Sequence, residues 1–175
     1  MLVAVLAVIA GAILFIEAGK LKVQPQQPQP SQMAPSGINA IDFSVYPRAP
    51  ELAGIAGYIN APENLTIASL RGKVVLVDFW TYTCINCIRT LPYVNSWHEK
   101  YAKDGLVIIG VHTPEFDFEK KYDNVIAAVQ KYGIKYAVVQ DNGYATWRAY
   151  SNQYWPHKYL LDAQGRIRYD HIGEG

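Results

Sequence analysis

Apolar runs separated by short polar turns divide most of this chain into strands. The segments Val74 to Trp80 and Leu106 to Val111 are almost continuously apolar and rich in β-branched residues, as in strands that are buried on both faces. Tyr136 to Val139 and His157 to Leu161 are shorter apolar runs, and Arg166 to Ile172 forms a hairpin with the second of them. Because strands buried on both faces need parallel neighbours and covering helices, the pattern predicts an α/β domain.

Apolar positions at helical spacing predict the helices. Leu91, Val94, Trp97 and Tyr101 recur three or four residues apart and predict one apolar face on a helix that runs to about Lys103. Gly105 then ends this helix in a left-handed conformation.

Further elements follow from local turn and capping signals. Phe116 to Tyr132 predicts a second helix, with Thr113 as its N-cap and Pro114 in its first turn. Tyr144 to Tyr150 predicts a short third helix. Between Ala49 and Ala68, apolar stretches on both sides of a proline- and asparagine-containing turn predict a β-hairpin.

The N-terminal part of the chain differs from the rest in its composition. Residues 1–19 are almost wholly apolar, and at about 1.5 Å per residue they can just cross a hydrocarbon core of about 30 Å. We expect a membrane anchor, or a signal segment that is removed after residue 18. Residues 20–37 are rich in proline and glutamine and predict an extended linker, which leaves residues 38–175 for one globular domain.

The overall composition supports a globular domain and argues against a nucleic-acid partner. Half of the 175 residues are hydrophobic and 18% are charged, so the chain can bury a real core. The net charge is +1, and acidic and basic residues are interspersed rather than collected on a basic segment.

The two cysteines provide the candidate chemistry. Cys84 and Cys87 follow the central strand where the next helix would begin, and thiols at this spacing can close a small disulfide ring. The unpaired N–H groups and positive dipole end of a helix favour thiolate at the first thiol. Cys84 is therefore the candidate nucleophile and Cys87 its resolving partner.

Such a pair has two other common uses, a structural disulfide and half of a zinc site. A bridge across so short a loop would constrain the unfolded chain very little. A zinc site would lack a second cysteine pair and would need ligands from His98, His112, His157 and His171, which are scattered along the chain. The sequence therefore favours a redox pair without a bound metal.

Three other titratable residues are candidates for the same site. Asp78 is the one polar residue in its apolar strand, so partial desolvation is expected to raise its pKa. His112 follows the strand that ends at Val111, and functional groups in α/β sheets collect at the carboxyl ends of strands. His112 and Glu115 are therefore possible neighbours of the cysteines, where an imidazole could tune a thiolate.

Several separated motifs resemble the thioredoxin superfamily. They are Val77-Asp78-Phe79-Trp80, the Cys84-x-x-Cys87 pair with Pro92 after it, Gly110-Val111-His112-Thr113-Pro114-Glu115 and Tyr154-Trp155-Pro156. Within the superfamily the chain is most similar to TlpA/ResA-like periplasmic reductases and to the redoxin domain of DipZ-type membrane proteins. The resemblance covers roughly Ala49 to Gly175. It implies a thioredoxin-like fold, a mixed sheet flanked by helices, with a strand–helix insertion after the cysteine-bearing helix.

The resemblance also assigns roles to individual residues. Asp78, six residues before Cys84, matches the buried aspartate that exchanges a proton with the resolving cysteine, here Cys87. Pro156 matches a cis-proline beside the disulfide, and the backbone of Trp155 would pair with an incoming peptide.

Aromatic residues are expected to surround these groups. Trp80, Tyr82 and Trp155 would frame a flat apolar rim around the sulfur atoms, suited to docking an extended chain of a partner.

The function implied by the resemblance is that of a membrane-tethered thiol–disulfide oxidoreductase. Its substrates would be proteins with disulfides, its electron donor a membrane or soluble thiol, and its only redox group the cysteine pair, without a further cofactor. The family places this domain outside the cytoplasm, and cleavage of residues 1–18 would make it a secreted protein. Lys20 and Lys22 favour the opposite orientation, but two lysines are a weaker signal than the family.

Two features depart from thioredoxin. Ile85-Asn86 stands between the cysteines in place of Gly-Pro, which leaves the direction of electron flow open. The chain also stops at Gly175, where thioredoxin folds add a further helix. We expect either that the sequence lacks the final helix or that this face of the sheet is covered in another way, for instance by the anchor segment, a partner or a second chain.

Two alternative functions use the same fold. A thiol peroxidase is one, because Thr81 to Cys84 matches part of the peroxiredoxin signature, although Val77 stands where that signature has proline. A copper metallochaperone is the other, although such proteins usually separate their cysteines by three residues.

Overall fold

The computed structural model describes residues 45–174. The predicted anchor (1–19) and linker (20–37), and the first residues of the predicted globular domain, lie outside this range. Within residues 45–174, no helix combines the length and apolar composition needed to cross a membrane.

A six-stranded mixed sheet forms the centre of the described domain. Its strands are β1 (Gly57–Ile59), β2 (Val74–Trp80), β3 (Leu106–His112), β4 (Ala137–Gln140), β5 (His157–Leu161) and β6 (Ile167–Ile172). The helices are α1 (Ile85–Tyr101), α2 (Tyr122–Lys131) and α3 (Ala145–Ala149), with 3₁₀ turns at Ala68–Leu70, Ala102–Asp104 and Asp117–Lys120. The strand order is β1-β4-β3-β2-β5-β6. Strands β2, β3 and β4 are parallel to one another, whereas β1, β5 and β6 pair antiparallel with their neighbours.

Side-chain alternation in β2 divides the core into two layers. Leu76 and Trp80 point to the face that is covered by α1 and α2, and Val75, Val77 and Phe79 point to the opposite face. Asp78 lies between Leu76 and Trp80 in this alternation and points to the same face, so the one carboxylate of the strand faces the cysteine-bearing helix.

The prediction of an N-terminal β-hairpin between Ala49 and Ala68 is wrong. The segment contributes a single short strand, β1, whose partner is β4: Tyr58 is paired with Val139. After β1 the chain turns at Asn60 (φ 54°) and continues into a 3₁₀ turn rather than a returning strand. Strand β1 therefore extends the sheet at the edge next to β4.

The predicted helix from Phe116 to Tyr132 is interrupted. Phe116 and Lys121 are both extended, and between them lies only the 3₁₀ turn Asp117–Lys120, so α2 begins at Tyr122. Thr113 and Pro114 consequently precede a loop and are not the N-cap and first turn of a helix. The cause is a buried carboxylate in this loop, that of Glu119, which is described below.

The apolar face predicted for the first helix is buried only in its first half. Leu91 and Val94 are buried, whereas Trp97 and Tyr101 are each 40% exposed. These two rings line an open groove of about 740 Å³ together with Leu76, Leu160 and Tyr169. The helix ends as predicted, since Gly105 follows its terminal 3₁₀ turn with φ 100°.

Candidate active site

The two cysteines lie at the first turn of α1. Cys84 is the N-cap residue, and its Sγ accepts a hydrogen bond of 3.3 Å from the backbone N–H of Cys87. The Cys84 side chain is half-buried, whereas Cys87 is fully buried. A backbone N–H directed at sulfur stabilises negative charge on that atom, so the accessible thiol is also the one placed to act as a nucleophile.

Burial and nearby charge distinguish the second thiol from the first. Burial raises the pKa of the Cys87 thiol well above its ordinary value, and its hydrogen bond with Cys84 and the neighbouring Asp78 charge act in the same direction. Cys87 therefore remains protonated at neutral pH and needs a base before it can attack.

Asp78 is the candidate for this base, because its charge acts on the Cys87 thiol. It is fully buried, and burial raises its pKa to about 6, against the lowering effect of the Lys158 ammonium group. Asp78 Oδ1 lies 3.4 Å from Lys158 Nζ. A carboxylate with this pKa can both accept and return a proton near neutrality.

Lys158 comes from the strand next to β2. It lies directly opposite Asp78 in the antiparallel pair of β2 and β5, so the two side chains share one face of the sheet. Its Nζ also donates to the Thr90 hydroxyl at 3.4 Å, and that hydroxyl donates to the backbone oxygen of Cys87 at 2.9 Å. Lys158 thus connects the buried carboxylate with the first turns of α1.

The loop before β5 closes the site from the other side. The Trp155–Pro156 peptide bond is cis, as predicted. The Cys84 thiol lies 3.9 Å from the carbonyl oxygen of Trp155, and the Trp155 indole donates to the backbone oxygen of Thr113 at 3.1 Å. The Trp155 ring packs against Trp147, with ring centroids 4.2 Å apart, so its position is fixed by the core.

The structure removes one residue, Trp80, from the predicted aromatic rim. Trp80 is fully buried between the sheet and its covering helices, because strand alternation directs it inward with Leu76. It cannot contact a docked chain, and its assignment to the rim is wrong. Tyr82 and Trp155 are half-buried at the surface near Cys84, so they remain candidates for substrate docking.

A buried carboxylate that sequence reasoning missed organises the loop before Cys84. Glu119 is fully buried, and its Oε1 accepts hydrogen bonds of 2.6 Å from the hydroxyls of both Thr81 and Thr83. Its Oε2 accepts from the backbone N–H groups of Glu115 (2.5 Å) and Phe116 (2.9 Å). Burial alone would raise the pKa of Glu119, but these four hydrogen bonds outweigh it and hold the pKa below its ordinary value.

His112 belongs to the same cluster, whereas the Glu115 side chain does not. His112 is fully buried beneath Tyr82, with the rings nearly parallel (17°) and 5.5 Å apart, and its Nε2 lies 3.3 Å from the Thr81 hydroxyl. Burial lowers the pKa of His112 to about 4, against the raising effect of Glu119. The Glu115 side chain is exposed, and only its backbone joins the network.

The missed residues carried no local signal. Lys158 and Glu119 look like ordinary members of a strand and of a helix, and their partners are distant in the sequence. Lys158 could have been identified from the sequence only by predicting that β5 pairs with β2, because that pairing places Lys158 opposite Asp78. Across residues 45–174 there is also no group of three or more His, Cys, Asp or Glu residues arranged to hold a metal ion.

Comparison with known proteins gives the family. The AhpC/TSA family description matches residues 42–170, most of the chain. The chain belongs to the AhpC/TSA family. Its relatives include Protein DipZ of Mycobacterium tuberculosis, which is 47% identical over 149 residues that make up 84% of this chain and 21% of DipZ. The chain thus spans about a fifth of that relative.

Two further matches connect the family with thiol–disulfide chemistry. Thiol-disulfide oxidoreductase ResA of Bacillus thuringiensis is 30% identical over 112 residues, which cover 64% of this chain and 62% of ResA. The solution structure of a thioredoxin-like protein in the oxidised form superposes with a TM-score of 0.69 at 27% identity, covering 76% of this chain and 88% of that one. The thioredoxin-like fold and the relationship to DipZ and ResA are therefore confirmed. Relatives named for an activity include thiol–disulfide oxidoreductases such as ResA, so neither the peroxidase nor the copper-chaperone alternative is favoured.

Proposed function

We propose that this domain is a thiol–disulfide oxidoreductase that exchanges disulfides with protein substrates through Cys84 and Cys87. The observation that carries the proposal is the position of Cys84: a half-buried sulfur at a helix N-terminus, facing the carbonyl oxygen that precedes a cis-proline. The family membership supports the same chemistry.

The reaction proceeds in two exchanges. In the first, the Cys84 thiolate attacks one sulfur of the substrate disulfide, a mixed disulfide forms, and the other substrate sulfur leaves as a thiolate that takes up a proton. In the second, Cys87 loses its proton to Asp78 and attacks the Cys84 sulfur, which releases the remaining substrate thiolate. The substrate gains two electrons, and the Cys84–Cys87 pair becomes a disulfide.

The remaining residues assist these steps. Asp78 takes the Cys87 proton and passes it on, and the Trp155 backbone beside Pro156 pairs with the extended substrate chain, with Tyr82 next to it. No cofactor other than the cysteine pair takes part. A membrane or soluble dithiol returns the pair to its reduced state.

Substitution of each cysteine tests the order of the exchanges. With insulin as the disulfide substrate and dithiothreitol as the reductant, Cys84→Ser should lose catalysis, whereas Cys87→Ser should still attack and accumulate a mixed disulfide visible by mass spectrometry. Ser96 is an exposed residue later in α1 that takes no part in the exchange, so Ser96→Ala is the control for a substitution within the same helix. Wild-type turnover in Cys84→Ser would contradict the proposal.

The tether and the location of the domain are part of the proposal. Residues 1–19 would anchor the domain and residues 20–37 would hold it off the membrane, on the extracytoplasmic side; the similarity to DipZ supports that side. Deletion of residues 1–19 should move the protein from the membrane to the soluble fraction, and protease added to spheroplasts should digest the domain of the full chain. Equal fractionation of both forms would argue against the tether.

A further inference from the structure

Two exposed phenylalanines lie beside the tyrosine that precedes the cysteines. Phe116 and Phe118 are each 49% exposed, and their rings are nearly parallel (4°) with centroids 5.6 Å apart. The Phe118 ring is 6.3 Å from that of Tyr82, which is two residues before Cys84. Tyr82, Phe116 and Phe118 are called the aromatic shelf below.

The backbone beneath the shelf is held in place on both sides. Glu119 accepts hydrogen bonds from the Phe116 N–H and from the hydroxyls of the two residues that flank Tyr82, Thr81 and Thr83. The Tyr82 hydroxyl in turn donates to the backbone oxygen of Phe118 at 3.2 Å. One buried carboxylate therefore joins the loop that carries the phenylalanines to the loop that carries Cys84.

The shelf is better suited to apolar than to charged groups. The charged residue between the phenylalanines, Asp117, is paired with Lys120 at 2.7 Å, so its own charge is already balanced. Single exposed apolar residues are common on protein surfaces, but adjacent aromatic rings on a fixed backbone are typical of binding surfaces. Because the shelf is ordered before binding, a partner would lose little affinity to ordering it.

In the proposed reaction, the substrate chain must cover the surface around Cys84. A substrate disulfide can reach the Cys84 sulfur only if the chain on each side of it crosses the surface around that atom, and the shelf begins two residues away. We propose that the aromatic shelf binds apolar side chains next to the reactive cysteine of the protein substrate. This inference rests on the proposed function and adds a substrate class to it: disulfides flanked by apolar residues.

Two matched peptides test the preference. Both contain one intramolecular disulfide and have the same length; one carries leucine and the other serine on each side of its cysteines. The wild-type full chain should reduce the leucine peptide with a kcat/KM at least tenfold higher, with the difference mainly in KM. In the double variant Phe116→Ser/Phe118→Ser this preference should disappear, while the rate on the serine peptide stays within about twofold of wild type.

A control variant removes two exposed aromatic rings elsewhere. Tyr101→Ser/Tyr169→Ser alters the groove at the far end of α1 and on β6, and it should keep the preference for the leucine peptide. Equal wild-type rates on both peptides, or an equal loss on both in the phenylalanine variant, would overturn the role of the shelf.

Other occupants of the shelf have their own signatures. Two assays test them: binding to vesicles of phosphatidylcholine and phosphatidylglycerol, and self-association on a sizing column. If the phenylalanine variant loses either property while its peptide kinetics stay unchanged, the inference is overturned in favour of a lipid surface or a second copy. Failure of the wild-type protein to reduce either peptide would overturn the proposed function itself.

Discussion

Removal of the Lys158 ammonium group should suppress the second exchange at neutral pH. Lys158→Met keeps the length of the side chain but leaves Asp78 without the cation 3.4 Å away. A cation favours the ionised carboxylate, so its loss must raise the pKa of Asp78 above its present value of about 6.

The size of the effect follows from that pKa. With a pKa of about 6, roughly nine tenths of Asp78 is ionised at pH 7 in the wild-type protein. An opposite charge within hydrogen-bonding range typically lowers a carboxyl pKa by about 1 to 3 units, so the variant should titrate between about 7 and 9. The ionised fraction at pH 7 then falls to between about one half and one hundredth, and the rate of Cys87 attack should fall about 2- to 100-fold.

A single-turnover assay across pH separates this effect from misfolding. Reduced protein is mixed with a disulfide peptide between pH 5 and 10, the reaction is quenched with acid, and the decay of the mixed disulfide is followed by mass spectrometry. The acidic limb of the rate profile should move to higher pH in Lys158→Met, with the rate recovering above the new pKa. Lys158→Arg keeps a cation and should stay closer to wild type.

An exposed lysine provides the matched control. Lys135 is 72% exposed and pairs with Glu99 at 3.7 Å. Lys135→Met also removes one positive charge from the protein, but it leaves Lys158 beside Asp78. Its profile should overlay that of the wild type. Superimposable profiles for Lys158→Met and wild type would refute the assignment of Asp78 as the base that Lys158 controls.

Three further predictions concern stability, measured by urea unfolding. The pKa of His112 is about 4 in the folded protein and ordinarily 6.5, so the fold favours the neutral ring; the wild type should lose about 3 kcal/mol from this group as the pH falls from 6.5 to 4, and His112→Gln should lose less over that range. Glu119→Ala removes the acceptor of four hydrogen bonds and should cost about 3 to 5 kcal/mol, whereas Glu119→Gln, whose amide can pair with the same groups, should cost less than half as much; equal losses would count against a specific network. Gly110→Ala places a methyl group 2.9 Å from Trp80 Nε1 and 3.2 Å from the Tyr136 ring and should destabilise by about 1 to 3 kcal/mol; an unchanged midpoint would show that these rings can move.

Local sequence patterns were sufficient for the central strands and for the cysteine-bearing turn. The continuous apolar run of β2 and the polar turn after it placed the cysteines at a helix start without reference to distant residues. Asp78 was conspicuous because a carboxylate interrupts an apolar strand. The cis peptide bond at Pro156 was predicted only through the resemblance to thioredoxins, since proline before a strand is ordinarily trans.

The remaining errors concern contacts between distant segments. Strand β1 was assigned to a hairpin because its true partner, β4, lies some eighty residues later in the chain. Glu119 was placed within a continuous helix, because nothing in residues 116–132 shows that its carboxylate is bound by Thr81 and Thr83. Trp80 is fully buried and does not reach the surface around the sulfur atoms, because strand alternation directs its side chain inward.

The Glu119 carboxylate has a consequence for how substrate preference can be altered. It fixes the shelf through backbone N–H groups and threonine hydroxyls, and it makes no use of the phenylalanine rings. Positions 116 and 118 can therefore accept other side chains while the sulfur geometry stays the same. If the shelf sets the substrate preference as proposed, specificity and redox chemistry should be separable in this domain. A library at those two positions, screened on peptides with different flanking residues, should then yield new preferences at an unchanged reduction potential.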